Sequence, residues 1–229
     1  MSKVKIKTEH PIAYESIDYL FPYGTKQDNS TNLGFINDVE NYFEGKKIKF
    51  LDIGCSGGQL NVDFHNRGHL SVGIEGSDYS VIHKRANWPE YHNQILFTCD
   101  ATKPYEILDE NDNQIKFNCI SAWEVIEHIA EKDFDQFFTN ILNHMDDTSI
   151  FVGSVSMMGD YHFTMHHTGE FGEVVEMHPS IFPKDVWVNQ ILNKYFVVED
   201  YCFNHKVRGF ENGEQYSSFC VKLTKKKDQ

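Results

Sequence analysis

Short apolar runs alternate with amphipathic segments from residue 48 onward. Apolar runs that predict buried strands lie at 48–53, 70–75, 94–99, 117–122 and 149–155. Segments between them that predict helices lie at 58–67, 79–87 and 131–145. This alternation is typical of an α/β protein in which helices cover both faces of a mostly parallel sheet.

The last third of the chain predicts the edge of that sheet. Pro183 can open a helix over 183–194, because its missing N–H is not needed in a first helical turn. Two further apolar runs, at 195–203 and 216–223, predict an antiparallel hairpin that completes a sheet of seven strands. The insertion at 156–182 is long, polar and aromatic, which predicts a lid over a substrate site.

Two domains of unequal size are expected. Residues 1–45 predict an N-terminal cap segment, loop-like at first and then helical over 32–44. Residues 46–229 predict the main domain, which includes the lid.

Charge and cysteine content narrow the classes of function. The 229 residues carry 21 basic and 34 acidic side chains, a net charge of −13, which disfavours a nucleic-acid partner. Five cysteines without paired spacing favour free thiols in a reducing compartment. No apolar run is long enough to span a membrane, so the expected location is cytoplasmic, with no membrane partner. The sequence leaves the oligomeric state open.

The stretch FLDIGCSGGQL runs from a predicted strand through a glycine turn into a predicted helix. Such a turn lets the backbone approach a ligand and points N–H groups at it, although tight turns also use glycine for structure alone. About twenty residues later, Glu75 ends the second strand, where a carboxylate can bind a ribose diol. Ser56 interrupts the GxGxxG pattern, which disfavours a nicotinamide-dependent oxidoreductase. A binding module without catalysis is the other alternative.

The order of these features over 46–155 resembles the class I S-adenosylmethionine-dependent methyltransferases, which have a Rossmann-like fold. The resemblance implies that S-adenosylmethionine is the cofactor. It places Gly54, the Cys55 backbone and Gly57 at the methionine end, Glu75 at the ribose and Asp100 with Ala101 at the adenine. It also implies that Asp52 acts through the turn or on the methionine amino group, and that Gly76 and Trp123 contact the cofactor.

This sequence departs from the family pattern in two places. Ser56 replaces a frequent glycine, an exchange that is acceptable if its φ is negative. Asn118 replaces a frequent aspartate before the fourth strand, which weakens any role of charge there.

Two flanking stretches, FPYGTKQDNS and HPSIFPKDVW, are similar to methyltransferases of surface-polysaccharide biosynthesis. This resemblance implies methyl transfer to a hydroxyl of a sugar or of a nucleotide-linked sugar, a small-molecule partner. The alternatives are a quinol- or catechol-type acceptor, which would favour a more apolar lid, and an RNA 2′-hydroxyl, which the acidic chain disfavours.

The stretch AWEVIEHI predicts a helix from about Trp123, which would put Glu124, Glu127 and His128 on one face. Ubiquinone-type O-methyltransferases have a similar EVxEH. Small-RNA 2′-O-methyltransferases join an ExxEH helix to a later histidine at a divalent metal, and His178 stands at the corresponding place. The resemblance implies a Mg²⁺ or Mn²⁺ site.

The metal-free alternative makes His128 or His178 the general base and lets the two glutamates bind the acceptor. Three further histidines of the predicted lid, His162, His166 and His167, are candidates to line the substrate pocket.

Overall fold

The computed structural model describes residues 3–165, 168–203 and 218–227. Its strands are β1 Lys5–Thr8, β2 Lys49–Ile53, β3 Leu70–Glu75, β4 Leu96–Thr98, β5 Tyr105–Leu108, β6 Phe117–Trp123, β7 Met145–Ser156, β8 Tyr161–Met165, β9 Phe171–Glu176, β10 Phe196–Glu199 and β11 Ser218–Lys225. Its α-helices are α1 Ile17–Leu20, α2 Tyr23–Gln27, α3 Leu33–Tyr42, α4 Gln59–Asn66, α5 Tyr79–Ile82, α6 Trp88–Tyr91, α7 Phe134–His144, α8 Lys184–Val186 and α9 Asn193–Tyr195. A π-helical stretch, Trp187–Leu192, joins α8 to α9, and 3₁₀ turns span Ile126–His128 and Glu131–Asp133.

Seven strands form one sheet in the order β10-β11-β7-β6-β2-β3-β4. The five strands from β7 to β4 are parallel to one another. At one edge, β11 pairs antiparallel with β7, and β10 pairs antiparallel with β11. The predicted fold is therefore confirmed. The chain proceeds outward from β2 to β3 and β4, and then returns to β6 on the other side of β2. A reversal of this kind opens a crevice at the carboxyl ends of the central strands.

Apolar layers lie on both faces of the sheet, because neighbouring side chains of a strand point in opposite directions. Leu51 and Ile53 of β2 belong to the apolar cluster that includes Phe137 of α7. Phe50, between them in the sequence, belongs to the cluster that includes Phe35 of α3. Both faces of β2 are thus covered, as a parallel sheet requires.

The predicted helix 79–87 is shorter in the structure. It ends at Ile82, and Lys84 and Ala86 follow with φ of +50° and +49°. A long-range contact accounts for the early end of this helix, because the Arg85 guanidinium donates a hydrogen bond to the Ser56 hydroxyl. The predicted strand 195–203 likewise ends at Glu199, and residues 216 and 217 lie outside the described part of the chain.

Two small antiparallel sheets were not predicted. β1 pairs with β5, about a hundred residues away, so nothing in the local sequence marks the pairing. β8 pairs with β9 inside the predicted lid, and we call residues 161–176 the hairpin. Within the cap segment, α3 buries Phe35 against the main domain, and the division of the chain at residue 45 stays a prediction. No helix in the described parts of the chain is both long and apolar enough to cross a bilayer.

His144, the last residue of α7, is fully buried, and both of its ring nitrogens are bonded. Nδ1 lies 2.7 Å from the Asn140 carbonyl oxygen, which can only accept a hydrogen bond. Nε2 lies 3.2 Å from the Ile107 N–H and accepts from it. This arrangement suits the neutral ring, and burial lowers the pKa of His144 to about 4.

We expect His144 to make the fold sensitive to acid. Its pKa is lower in the folded chain than the ordinary value of 6.5, so the unfolded chain takes up the proton first as the pH falls. Stability is then lost between about pH 6.5 and 4, by at most about 3 kcal/mol from this group. Urea unfolding at pH 7 and pH 4.5 measures the loss, which should be smaller in His144→Gln. Equal losses in both proteins would contradict this assignment.

Candidate active site

A cavity of about 630 Å³ lies at the carboxyl ends of the central strands. Its walls come from the ends of β2, β3, β4 and β6, from the cap segment and from the lid. The residues predicted to bind the cofactor that line this cavity are Gly54, Glu75, Gly76, Asp100, Ala101 and Trp123. The topology thus brings together side chains that lie far apart in the sequence.

Glu75 ends β3 with its carboxylate held by three donors. Oε2 accepts from the Ser56 N–H at 2.8 Å, and Oε1 accepts from the Ser77 N–H at 3.3 Å and the Thr25 hydroxyl at 3.4 Å. Burial raises the pKa of Glu75, although these donors oppose the shift by stabilising the anion. Thr25 belongs to the cap segment, so the cap segment contacts the predicted ribose-binding residue directly.

Three predicted cofactor residues do not line the cavity. Asp52 points into the sheet, where it accepts from the Ser121 hydroxyl at 2.5 Å. The Cys55 side chain is buried in a separate apolar cluster. At Gly57 an added Cβ would lie 2.1 Å from Asn29 Oδ1, so the missing side chain makes room for the cap segment. The glycine pattern therefore has a packing role at Gly57.

The condition under which serine would be acceptable at position 56, a negative φ, is not met, because φ is +48°. A non-glycine residue in this region costs about 1–3 kcal/mol, which its surroundings must offset. Its N–H donates to Glu75, its hydroxyl donates to the Asp28 carbonyl at 2.8 Å, and its own carbonyl accepts from Trp88 Nε1 at 2.7 Å. The Arg85 guanidinium also donates to the Ser56 hydroxyl. The two bonds made by the hydroxyl are ones that a glycine at this position could not make.

The predicted helix from Trp123 is also wrong. β6 continues through Trp123, and Glu124 follows with φ of +52°. The Glu124 N–H bonds the backbone and the hydroxyl of Ser154 in β7, which extends the strand contacts at this point. Only the short 3₁₀ turn Ile126–His128 follows, so the two glutamates and the histidine do not share a helical face.

Three of the predicted metal residues nevertheless converge. One ligand atom each from Glu127, His128 and His178 lies within 4.8 Å of the others, and we call these residues the cluster. Glu124 is not a member, and its Oε2 accepts from the Ser218 hydroxyl at 3.0 Å.

Glu127 is fully buried, and neither carboxylate oxygen has a hydrogen-bond partner of ordinary geometry. Burial, and then the charge of Glu124, raise the pKa of Glu127 to about 8. The charge of His128 and two nearby backbone N–H groups oppose this shift. A buried carboxyl group without a partner is costly, so its presence at the cluster requires an explanation.

An oxygen atom lies close to the Nδ1 atom of each imidazole. His178 Nδ1 lies 2.7 Å from the Met158 carbonyl oxygen, so Nδ1 carries the proton and Nε2 the lone pair. His128 Nδ1 lies 2.9 Å from Asp18 Oδ2, an ion-pair contact whose angle is outside that of a hydrogen bond. Burial lowers the pKa of His178. Burial alone would also lower the pKa of His128, but Asp18 and Glu127 outweigh it and raise the value to about 9.

The cavity lining is strongly acidic. Two lysines, Lys103 and Lys132, line it among the described residues. The eight carboxylate residues that line it are Glu15, Asp18, Glu75, Asp100, Glu124, Asp133, Asp160 and Glu176. A site of this charge attracts cations and disfavours acceptors that carry phosphate groups.

The cap segment and the hairpin meet over the cavity. Tyr23 of α2 and His162 of β8 stack with ring centroids 4.1 Å apart and an angle of 11°. His162 therefore lines the cavity as predicted, whereas His166 and His167 lie outside the described residues. Asp18, Tyr23 and Thr25 were not singled out, because their stretch is rich in turn-forming residues and has no periodicity, although Tyr23 and Thr25 lie within FPYGTKQDNS.

A family model described as a methyltransferase domain matches residues 18–186, which is well over half of the chain. The chain belongs to this family. The expectation that it is a methyltransferase, and therefore an enzyme, is confirmed. The match begins at Asp18, so it includes most of the residues of the cavity.

Curated relatives of this methyltransferase share about a quarter to a third of the residues that align. The ubiquinone biosynthesis O-methyltransferase of Glaesserella parasuis is 29% identical over 133 residues, which cover 56% of this chain and 53% of that protein. The protein of the same name from Idiomarina loihiensis is 28% identical over 103 residues, 45% of this chain and 40% of that protein. The chain thus spans about half the length of these relatives or less.

Solved structures share the fold of this methyltransferase. The PH0226 protein of Pyrococcus horikoshii has a TM-score of 0.55 at 16% identity, covering 91% of this chain and 99% of that one. A methyltransferase of Clostridium acetobutylicum described as S-adenosylmethionine-dependent has a TM-score of 0.56 at 12% identity, covering 90% and 97%. The glycopeptide N-methyltransferase MtfA in complex with S-adenosylmethionine has a TM-score of 0.55 at 13% identity, covering 87% and 90%.

We expect Glu75→Gln to weaken binding of S-adenosylhomocysteine by about 10- to 100-fold. The variant keeps one acceptor oxygen but loses the charge that strengthens hydrogen bonds from a ribose diol. Titration calorimetry measures the affinity, with Glu106→Gln as the matched control because Glu106 is exposed, pairs with Lys7 on β1 and does not line the cavity. Equal affinities in the wild type and in Glu75→Gln would refute the assignment of Glu75 to the cofactor.

Proposed function

We propose that this enzyme transfers the methyl group of S-adenosylmethionine to a hydroxyl of a small quinol- or catechol-type acceptor. The observation that carries the proposal is the cluster, in which the imidazoles of His128 and His178 line the cofactor cavity and the buried carboxyl group of Glu127 lies within reach of them. The acceptor oxygen displaces the thioether at the sulfonium methyl, and the hydroxyl proton leaves to a base. The donor is already activated, so the chain has to align the acceptor and remove that proton.

Glu127, His128 and His178 fit a divalent cation. The unpartnered carboxylate of Glu127 supplies an oxygen, His178 has its Nδ1 held by the Met158 carbonyl as ligating histidines usually do, and His128 Nδ1 lies in ion-pair contact with Asp18. When bound there, Mg²⁺ or Mn²⁺ would lower the pKa of the acceptor hydroxyl and compensate the buried carboxylate. Glu124 is not needed as a ligand in this proposal, although its charge adds to the negative potential at the cluster.

His178 is the stronger base if the cluster works without metal. Its lowered pKa keeps the ring neutral at pH 7, and its Nδ1–H is held by Met158, so Nε2 can accept a proton. His128 is the weaker candidate, because its raised pKa leaves it protonated at that pH. This distinction was not available from the sequence, where the two histidines were equivalent.

The negative charge of the cavity lining limits which acceptors can bind. Eight carboxylate residues against two lysines disfavour a nucleotide-linked sugar, whose phosphates would be repelled. A neutral acceptor with two adjacent hydroxyls meets no such repulsion. Neutral sugars remain a second candidate, since carboxylates are good acceptors for their hydroxyls.

The ubiquinone biosynthesis relatives, at low identity, favour the quinol or catechol type over a sugar. The apolar side chains of the hairpin do not bear on this choice. Tyr161, Phe163 and Met165 are exposed, but they alternate along β8 with His162, which lines the cavity, so they lie on the other side of the strand.

We expect a substituted catechol to accept labelled methyl from S-adenosylmethionine at least about tenfold faster than the same ring with one hydroxyl, as expected if two oxygens bind together. Scintillation counting of the extracted product measures the transfer. A methyl glycoside and a nucleotide sugar complete the panel. Transfer to the glycoside alone would establish the sugar candidate, and transfer to the nucleotide sugar would contradict the charge argument.

Removal of divalent metal should abolish the activity, and added Mg²⁺ or Mn²⁺ should restore it. Glu127→Gln should also weaken Mn²⁺ binding, followed by electron paramagnetic resonance without any substrate, because it removes the charged ligand. Glu131→Gln is the matched control, since Glu131 is exposed and outside the cluster. Full activity after chelation, together with unchanged Mn²⁺ binding in Glu127→Gln, would leave His178 as the base.

A further inference from the structure

Asp18 belongs to none of the strands that form the cavity floor, yet it reaches the cluster. It is the second residue of α1, a single turn capped by the Ser16 hydroxyl, which accepts from the Asp18 N–H at 3.2 Å. α1 lies in the cap segment, more than a hundred residues from His128 in the sequence. The fold of the chain therefore brings Asp18 to the cluster, although the two are far apart in the sequence.

The cap segment is fixed to the sheet on either side of the cavity. The Ala13 N–H donates to the Gly76 carbonyl at 2.9 Å, and the Asp100 N–H donates to the His10 carbonyl at 3.0 Å. An added Cβ at Gly76 would lie 3.1 Å from the Ala13 Cβ, so the two segments are in close contact. These contacts hold α1 over the ends of β3 and β4.

The contact between Asp18 and His128 is partly shielded from water. Oδ2 of Asp18 lies 2.9 Å from Nδ1 of His128, and the two side chains are 33% and 20% exposed. His178 differs in geometry, because its Nδ1 makes a regular hydrogen bond to the Met158 carbonyl, whereas the angle at His128 Nδ1 lies outside that of a hydrogen bond. Both imidazoles of the cluster thus have an oxygen close to Nδ1, one from the lid and one from the cap segment, and a small rotation of the Asp18 or His128 side chain would complete the second hydrogen bond.

We propose that Asp18 is a positioning residue, whose carboxylate accepts the Nδ1–H of His128 and leaves Nε2 as the nitrogen that the cluster uses once its proton is displaced. The inference rests on the proposed function, since methyl transfer at the cluster is what gives His128 a role. It makes the cap segment a part of the catalytic machinery. Acceptors of this kind fix the tautomer and the direction of a ligating imidazole, and their loss lowers metal affinity by about 10- to 100-fold.

Three variants of the full chain test the proposal, with Mn²⁺ alone as the probe and electron paramagnetic resonance as the readout. Asp18→Ala removes the acceptor and should weaken Mn²⁺ binding by about 10- to 100-fold. Asp18→Asn keeps an acceptor oxygen without the charge and should recover part of that loss. Asp133→Ala removes another carboxylate of the cavity lining that is not part of the cluster, and should change the affinity less than about threefold. Binding of S-adenosylhomocysteine in each variant shows that the protein is folded.

Equal losses in Asp18→Ala and Asp133→Ala would assign the effect to the overall charge of the cavity and overturn the proposal. Unchanged Mn²⁺ binding in Asp18→Ala would overturn it too. If the wild-type chain binds no Mn²⁺, the metal part of the proposed function fails, and nitrogen NMR of the histidine rings decides about Asp18. At alkaline pH, where the rings are neutral, His128 should carry its proton on Nδ1 in the wild type and shift toward Nε2 in Asp18→Ala. The same tautomer in both proteins would refute the positioning role.

Discussion

The carboxyl group of Glu127 is buried without a hydrogen-bond partner of ordinary geometry, and much of the site is organised around it. An ionised carboxylate in such a place costs several kcal/mol unless a positive charge compensates it, and a neutral one still lacks its hydrogen bonds. Two imidazoles stand within reach of it. The arrangement is stable as a neutral acid or beside a positive charge, so the protonation of Glu127 is tied to the charge of the imidazoles next to it.

The order of the strands makes that burial possible. Because β6 lies beside β2, the chain that follows Trp123 turns over the same crevice that the glycine turn after Ile53 enters. Gly54 faces this second turn directly, since an added Cβ would lie 2.5 Å from the Val125 side chain, and its φ of +75° also favours glycine. Gly54 therefore allows the glycine turn after β2 to pack against the turn that carries the cluster. This packing role differs from the role of glycines in a phosphate-binding fingerprint.

The sequence predicted the sheet and its order of elements well, because buried strands and amphipathic helices leave local patterns in the chain. It predicted the residue types of the cluster but gave them the wrong backbone. A helix from Trp123 was expected from side-chain spacing alone, whereas the hydrogen bonds of Glu124 to Ser154 extend β6 instead. Asp18 and Thr25 could not be predicted, since their contacts cross more than forty residues and their stretch has no periodicity. Long-range contacts of this kind are decided by packing and not by local preference.

Electrostatics restricts the acceptor more than the shape of the hairpin does. The carboxylates of the lining favour the positive sulfonium of the donor and other cations, and they oppose any acceptor with a phosphate. The exposed apolar side chains of the hairpin add no second restriction, because Tyr161, Phe163 and Met165 alternate along β8 with His162, which lines the cavity, and so lie on the other side of the strand. Charge therefore separates acceptors with a phosphate from neutral ones, whereas the proposed preference for a quinol or catechol over a neutral sugar depends on the relatives and not on the cavity.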